Sequence, residues 1–114
     1  MHFTAHPSYD GLLSQDDSRV VKYKQDYDKR GFDDSVTWSL DHCLIHWLTP
    51  RLRRFLEISR ETTEADEFHN EVEEMLKGFE LYCTTRYNEF KKEHREQLDN
   101  SFKLLAKLQS GLWW

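Results

Sequence analysis

Two histidines four residues apart, His42 and His46, are the most suggestive group for chemistry in this sequence. On a helix, side chains four positions apart point the same way, and helical zinc sites use this spacing. However, no glutamate stands between them as in the zinc-protease motif, and no third ligand is evident. We therefore favour a structural interpretation, with both histidines beside an apolar strip and Cys43 as a small buried residue. A metal site or a catalytic Cys–His pair is disfavoured.

Asp41 shares a helical stripe with large apolar residues. Spacings of 3, 4, 3, 4 and 3 define the stripe, whose members are Trp38, Asp41, Ile45, Leu48, Leu52 and Phe55. A carboxylate in this position is predicted to be buried, which is costly unless the group is paired or hydrogen-bonded. Its candidate partners are a Trp indole, an arginine such as Arg51, or backbone groups freed near Pro50. A contact that fixes the helix register is favoured over a ligand or partner contact.

Arg51, Arg53 and Arg54 form a basic cluster that could bind a phosphate or an acidic partner. Together with Trp38 and Trp47, these arginines could pair with and stack on a nucleotide at a subunit interface. We favour the simpler interpretation, in which the arginines complement the negative end of one helix and the acidic start of the next.

Two acidic pairs, Glu71-x-x-Glu74 and Glu96-x-x-Asp99, resemble the signature with which all-helical nucleoside triphosphate pyrophosphatases hold Mg²⁺. Four carboxylates would suit an ion that binds substrate phosphates. Other acidic pairs in the same stretch match the signature equally well, and Glu71 and Glu74 lie beside the apolar stripe of their helix. A solvated helix face with Glu–Lys pairs is the simpler explanation. We predict no catalytic residues and no cofactor.

The composition is that of one soluble domain. The 114 residues are 38% hydrophobic, 32% charged and 14% aromatic, and the aromatic residues can supply a core despite the polar average. A net charge of −5 argues against a general nucleic-acid binder. No run reaches the roughly 20 apolar residues of a membrane span, and the amino terminus has no signal-peptide pattern. Two isolated cysteines fit a reducing compartment, so we expect a cytoplasmic protein.

The elements that must position these residues are mainly helices, because only four Gly and two Pro punctuate the chain. Residues 1–30 are predicted to be an irregular arm, in which residues 19–24 fit a short strand or an extended strap. Residues 31–114 are predicted to be the helical domain. Its helix A spans about residues 34–59, with a kink or break near Thr49 because Pro50 lacks the N–H donor.

The remaining apolar periodicity predicts helix B over about residues 63–91 and helix C over about residues 96–110. The polar residues 92–96 separate the two patterns. A single helix over residues 63–110 would extend roughly 70 Å, so a break near residues 92–96 is favoured. The fold class is therefore mostly α, with two to three long helices in a helical hairpin or bundle.

A second apolar strip on helix A consists of Leu40, Leu44 and Trp47. A surface helix of a monomer usually has one apolar stripe and one solvated face. A helix with two apolar sides must bury the second side as well, either against the N-terminal arm or against another chain. In a domain of this size we favour another chain, and thus a homo-oligomer.

Four ordered blocks resemble an uncharacterised family of small proteins of tailed bacteriophages and prophages. They are residues 31–41 (GFDDSVTWSLD), 48–55 (LTPRLRRF), 75–80 (MLKGFE) and 104–107 with 112–114 (LLAK and LWW). The chain departs from the family in a shorter link around residues 59–63 and in Phe68, where members tend to have Trp. The resemblance implies a phage or prophage origin and expression in the host cytoplasm, and it implies no activity.

These patterns lead to one main functional hypothesis and three alternatives. The main hypothesis is a non-enzymatic phage accessory protein that binds a host protein, such as a component of a host defence. The first alternative is a sponge that sequesters a small nucleotide signal at subunit interfaces. The others are a Mg²⁺-dependent pyrophosphatase and a structural or assembly protein of the virion.

Overall fold

A computed structural model describes residues 18–37 and 39–113 of the chain. Within these ranges the protein forms four α-helices and three 3-10 turns, and it contains no strand. The helices are α1 (Ser18–Arg30), α2 (Leu40–Thr62), α3 (Asp66–Thr84) and α4 (Lys92–Leu108). The turns are Asp34–Thr37, Tyr87–Glu89 and Gln109–Gly111. The mostly α fold class is confirmed, with one helix more than expected. None of the described helices has the length and apolarity needed to cross a membrane.

The chain divides into two compact units, Met1–Leu44 and Ile45–Trp114. The division falls inside α2, further along the chain than the predicted boundary at residue 30. Residues 1–17 of the predicted arm lie outside the described residues.

Helix α1 replaces the strand or strap predicted for residues 19–24, so that prediction is wrong. Val20, Tyr23 and Tyr27 are three and four residues apart, which puts the buried and half-buried side chains on one side of the helix. A six-residue window is too short to reveal this period. The helix ends at Gly31, whose positive φ of 82° suits glycine and whose N–H bonds to the Tyr27 carbonyl.

Ion pairs join α1 to the 3-10 turn that follows it. Asp34 accepts hydrogen bonds from Lys22 and Arg30, and Lys22 also pairs with Asp26 one turn along α1. Helix A was expected to begin at about residue 34, but Asp34 opens this short turn instead. Helix α2 begins at Leu40 and continues three residues past the predicted end at residue 59.

Helix α2 is continuous through Pro50, so a break at Thr49 is wrong. Proline removes the donor for the His46 carbonyl. The carbonyls on either side of that group each accept a side-chain hydrogen bond: Thr49 Oγ1 donates to Ile45 O at 2.6 Å, and Arg51 Nη1 donates to Trp47 O at 2.8 Å. These bonds stabilise the helix around proline. The kink itself stays a prediction.

The second unit is built around one apolar core contributed by α2, α3 and α4. The core consists of Ile45, Leu52, Leu56, Val72, Met75, Leu76, Phe79, Leu98 and Leu108. Phe79 is fully buried and meets Phe102 edge to face at 5.2 Å between ring centroids. Helices α3 and α4 approach closely at Gly78, where a methyl group would overlap the Ser101 hydroxyl and the Gln97 carbonyl.

Two helices follow α2, as expected, but the break between them lies earlier than the predicted residues 92–96. Helix α3 ends at Thr84 and α4 begins at Lys92, so the predicted bounds of helices B and C are wrong at this connection. Tyr87 and Phe90 continue the apolar spacing of helix B, yet Tyr87 is 97% exposed in a 3-10 turn. Phe90 packs on Tyr82 at 5.8 Å from within the connection.

Candidate functional site

One side of α2 in the second unit faces away from the apolar core. We call it the outer edge of α2, and it consists of Trp47, Arg51, Arg54, Glu57, Ile58 and Glu61. Trp47 is 48% exposed, which is unusual for so large an apolar side chain. The Arg51 guanidinium lies 4.4 Å from the centroid of the Trp47 ring, within the range of a cation–π contact. The edge therefore presents an aromatic residue together with a cation.

The other two members of the predicted second apolar strip lie in the first unit. Leu40 is 66% exposed and Leu44 is 45% exposed. The described residues thus leave all three side chains of the strip open to solvent. Trp38, the remaining aromatic candidate, lies outside the described residues.

Asp41 is exposed in the first turn of α2, so the prediction of a buried carboxylate is wrong. Asp41 lies one turn before Ile45, which is the first buried residue of α2, so the buried side of the helix does not extend to it. Free N–H groups at the helix start favour an acid there. Among the described residues of this unit, Asp33, immediately before the 3-10 turn, is a buried carboxylate. Helical periodicity does not identify Asp33, because this residue lies outside a helix.

Neither cysteine is poised for nucleophilic chemistry. Burial raises the pKa of the Cys43 thiol, and the charges of Asp41 and Asp33 raise it further. Burial also raises the pKa of the Cys83 thiol, although its contact with Thr49 acts in the opposite direction. A raised pKa disfavours the reactive thiolate.

Arg53, a candidate for ligand binding, is engaged within the protein. Its guanidinium donates to Glu73 Oε2 at 3.0 Å and, through Nε, to Glu80 Oε1 at 3.0 Å. Arg60 adds a longer contact of 3.4 Å to the same Glu73 oxygen. This charge cluster joins α2 to α3 and is half-buried. Arg53 is thus a structural residue in the described fold. Of the predicted arginine cluster, Arg51 and Arg54 are the members whose side chains are exposed.

The charge cluster predicts a specific pH dependence of stability. The hydrogen bond from Arg53 and the charges of Arg53 and Arg60 hold the pKa of Glu73 below its usual range. A lowered carboxyl pKa in the folded state contributes stability above the unfolded-state pKa, and that contribution is lost as the pH falls through the folded-state pKa. Arg53→Met should therefore be less stable than the wild type at pH 7, with a difference that narrows below about pH 5.

Urea unfolding at several pH values measures this difference. Lys92→Met is the matched control, because Lys92 forms an exposed pair with Glu96 at 3.9 Å, and such pairs contribute little. A destabilisation by Arg53→Met that stays constant between pH 7 and about pH 3 would contradict the assignment.

The carboxylates of the pyrophosphatase signature have separate partners. Glu71 pairs with Lys107, while Glu74 accepts from Gln97 at 3.2 Å and pairs with Lys77 at 3.1 Å. Two further signature residues are exposed on α4, namely Glu96 and Asp99. In the part of the chain that the structure describes, no three His, Cys, Asp or Glu side chains are grouped as metal ligands.

The two histidines of the metal hypothesis are each half-buried on α2. His46 packs its ring against Tyr82 of α3, with 6.1 Å between the centroids. Residues 18–37 and 39–113 offer neither histidine a third ligand.

A buried polar pair, Ser59 and His69, escaped the sequence analysis. The Ser59 hydroxyl lies 2.9 Å from His69 Nε2, and the two residues are 2% and 4% exposed. The helical periods carried a signal, because Ser59 follows Leu56 by three positions and His69 precedes Val72 by three. Their burial keeps substrate from the pair, which therefore joins α2 to α3 as a structural contact.

No family model, no curated protein and no solved structure matches the chain. The resemblance to small phage proteins accordingly stays a prediction from the four sequence blocks. The candidate functional site is therefore the outer edge of α2.

Proposed function

We propose that this protein is a non-enzymatic phage accessory protein that acts by binding in the host cytoplasm, as a homo-oligomer. The observation that carries the proposal is the exposure of large apolar side chains on α2, namely Leu40 and Leu44 in the first unit and Trp47 in the second. Exposed apolar groups of this size are typical of surfaces that bind other molecules.

The contacts of the other candidate residues support binding rather than catalysis. Arg53 is held by two glutamates, Glu71 and Glu74 of the acidic signature have separate partners, and the Ser–His pair is buried. What remains accessible is an aromatic and arginine-rich helix surface, and Trp and Arg are enriched among the residues that dominate protein interfaces.

The phage origin is supported by the four sequence blocks. A phage protein that binds in the host cytoplasm meets host proteins there. A component of a host defence is the target class to be tested first.

Affinity capture from infected host lysate tests the proposal. The full-length protein is expected to recover a defined host protein, and Trp47→Ser is expected to lose most of it because the exposed indole supplies contact area. Tyr87→Ser is the matched control, since Tyr87 is an exposed aromatic residue away from α2, on the α3–α4 connection. Recovery of no host molecule under several host conditions, or equal recovery by all three proteins, counts against the proposal.

A further inference from the structure

The outer edge of α2 follows the spacing of a helix-pairing surface. Trp47, Arg51, Arg54, Ile58 and Glu61 are separated by 4, 3, 4 and 3 residues. This alternation keeps side chains on one seam between two packed helices. The buried residues of the same helix, Leu52, Leu56 and Ser59, fall between these positions and point to the opposite side. The core of the second unit therefore lies on the opposite side of α2 from this seam, whose members are exposed except for the half-buried Ile58.

The charge on the outer edge reverses along the helix. Arg51 and Arg54 occupy its first half, and Glu57 and Glu61 occupy its second half. All four side chains are exposed. The pair between Arg54 and Glu57 within one chain is solvated, so little energy is needed to exchange it for a contact with another molecule.

We propose that the outer edge of α2 binds a second copy of this chain in antiparallel orientation. A parallel pair would set the basic half against the basic half and the acidic half against the acidic half, which is repulsive. An antiparallel pair sets each basic half over the acidic half of the other copy, and one two-fold axis satisfies both contacts. Ile58, which is half-buried between Glu57 and Glu61, supplies apolar area within the seam, and Trp47 lies at its end beside the basic half. The inference rests on the assembly part of the proposed function and specifies its surface.

Two charge-reversed variants of the full chain test this pairing by light scattering coupled to size-exclusion chromatography. Arg51→Glu with Arg54→Glu makes the edge wholly acidic, and Glu57→Arg with Glu61→Arg makes it wholly basic. The wild type is expected to be a dimer. Each variant alone is expected to dissociate at least tenfold more readily, and an equimolar mixture is expected to restore a dimer containing one chain of each kind.

Lys92→Glu with Lys103→Glu is the matched control, because it changes the charge by the same amount at exposed positions of α4 and is expected to remain dimeric. The salt dependence of the wild-type dimer gives a second measurement that needs no variant. Its dissociation constant is expected to rise several-fold between roughly 50 mM and 500 mM NaCl, since exposed charge contacts are screened.

The outcomes separate this inference from the proposed function. The α2 pairing is overturned if the charge-reversed variants remain dimeric, if their equimolar mixture stays monomeric, or if salt does not change the dissociation constant of the wild-type dimer. These outcomes leave host binding and assembly through another surface intact. A wild-type chain that is monomeric at all concentrations overturns the pairing together with the assembly part of the proposed function. A wild-type dimer that recovers no host molecule contradicts only the host-binding part of the proposed function.

Discussion

Replacing Gly78 by alanine is expected to lower the free energy of unfolding by about 2–3 kcal/mol, because overpacking a close helix contact is destabilising. A methyl group at this buried position would overlap the Ser101 hydroxyl and the Gln97 carbonyl of α4. On a helix without such a neighbour, the same substitution would stabilise the protein by about 1 kcal/mol. The sign of the effect therefore reports directly on the close approach of α3 and α4.

Urea unfolding monitored by circular dichroism measures the effect, and two further variants sharpen it. Ser101→Ala in the Gly78→Ala background removes the hydroxyl but leaves the Gln97 carbonyl, so only part of the stability should return. Gly111→Ala is the matched control, because its methyl group would lie 3.2 Å from the Phe68 ring, which needs to move only slightly. A Gly78→Ala protein as stable as the wild type would show that the two helices are further apart than the structure has them.

The core of the second unit was predictable because it depends on helical period alone. Val72, Met75 and Phe79 follow the spacing of one face of a helix, and all three are completely buried in α3. The apolar positions of α2 behave in the same way, with Ile45 and Leu52 buried at the expected phase. Periodicity identifies such residues because the buried side of a helix can be predicted without knowing where the helix begins or ends.

The connection between α3 and α4 was not predictable from periodicity, because its residues keep an apolar spacing without being helical. Thr85 is extended, and α4 starts after extended Lys91, whose N–H donates to His94 Nδ1 at 2.8 Å. His94 also stacks on Phe90 with 5.4 Å between ring centroids. This local capping decides the boundary, and a histidine in the third helical position is a weaker sequence signal than the usual glutamate.

The partners of the candidate site residues were also beyond the reach of the sequence. Arg53 lies 20 and 27 residues from Glu73 and Glu80, so their contacts depend on how α2 packs against α3. A basic cluster looks the same in the sequence whether its members bind a ligand or acidic side chains of the same protein. By contrast, the exposed strip on α2 was predictable, because two apolar sides on one helix exceed what the core of a small domain can cover.

The buried pair of Ser59 and His69 carries the second large expected effect. Ser59→Ala should lower the free energy of unfolding by about 1–3 kcal/mol, because it leaves a buried imidazole nitrogen without its hydrogen-bond partner. His69→Phe should cost less than this, since the Ser59 hydroxyl can turn to a carbonyl of its own helix. Replacing both residues together should be nearly neutral, because no buried polar group is then left unpaired.

A double-mutant cycle of urea unfolding isolates this interaction from the packing of the two side chains. The double variant is expected to be more stable than the sum of the two single effects implies, by about 1 kcal/mol or more. Thr62→Ala is the matched control for Ser59→Ala, because the Thr62 hydroxyl donates only to the Ser59 carbonyl at the end of the same helix. Strictly additive single effects would show that the hydroxyl and the imidazole do not depend on each other, and that apolar contacts alone hold α2 against α3 at this point.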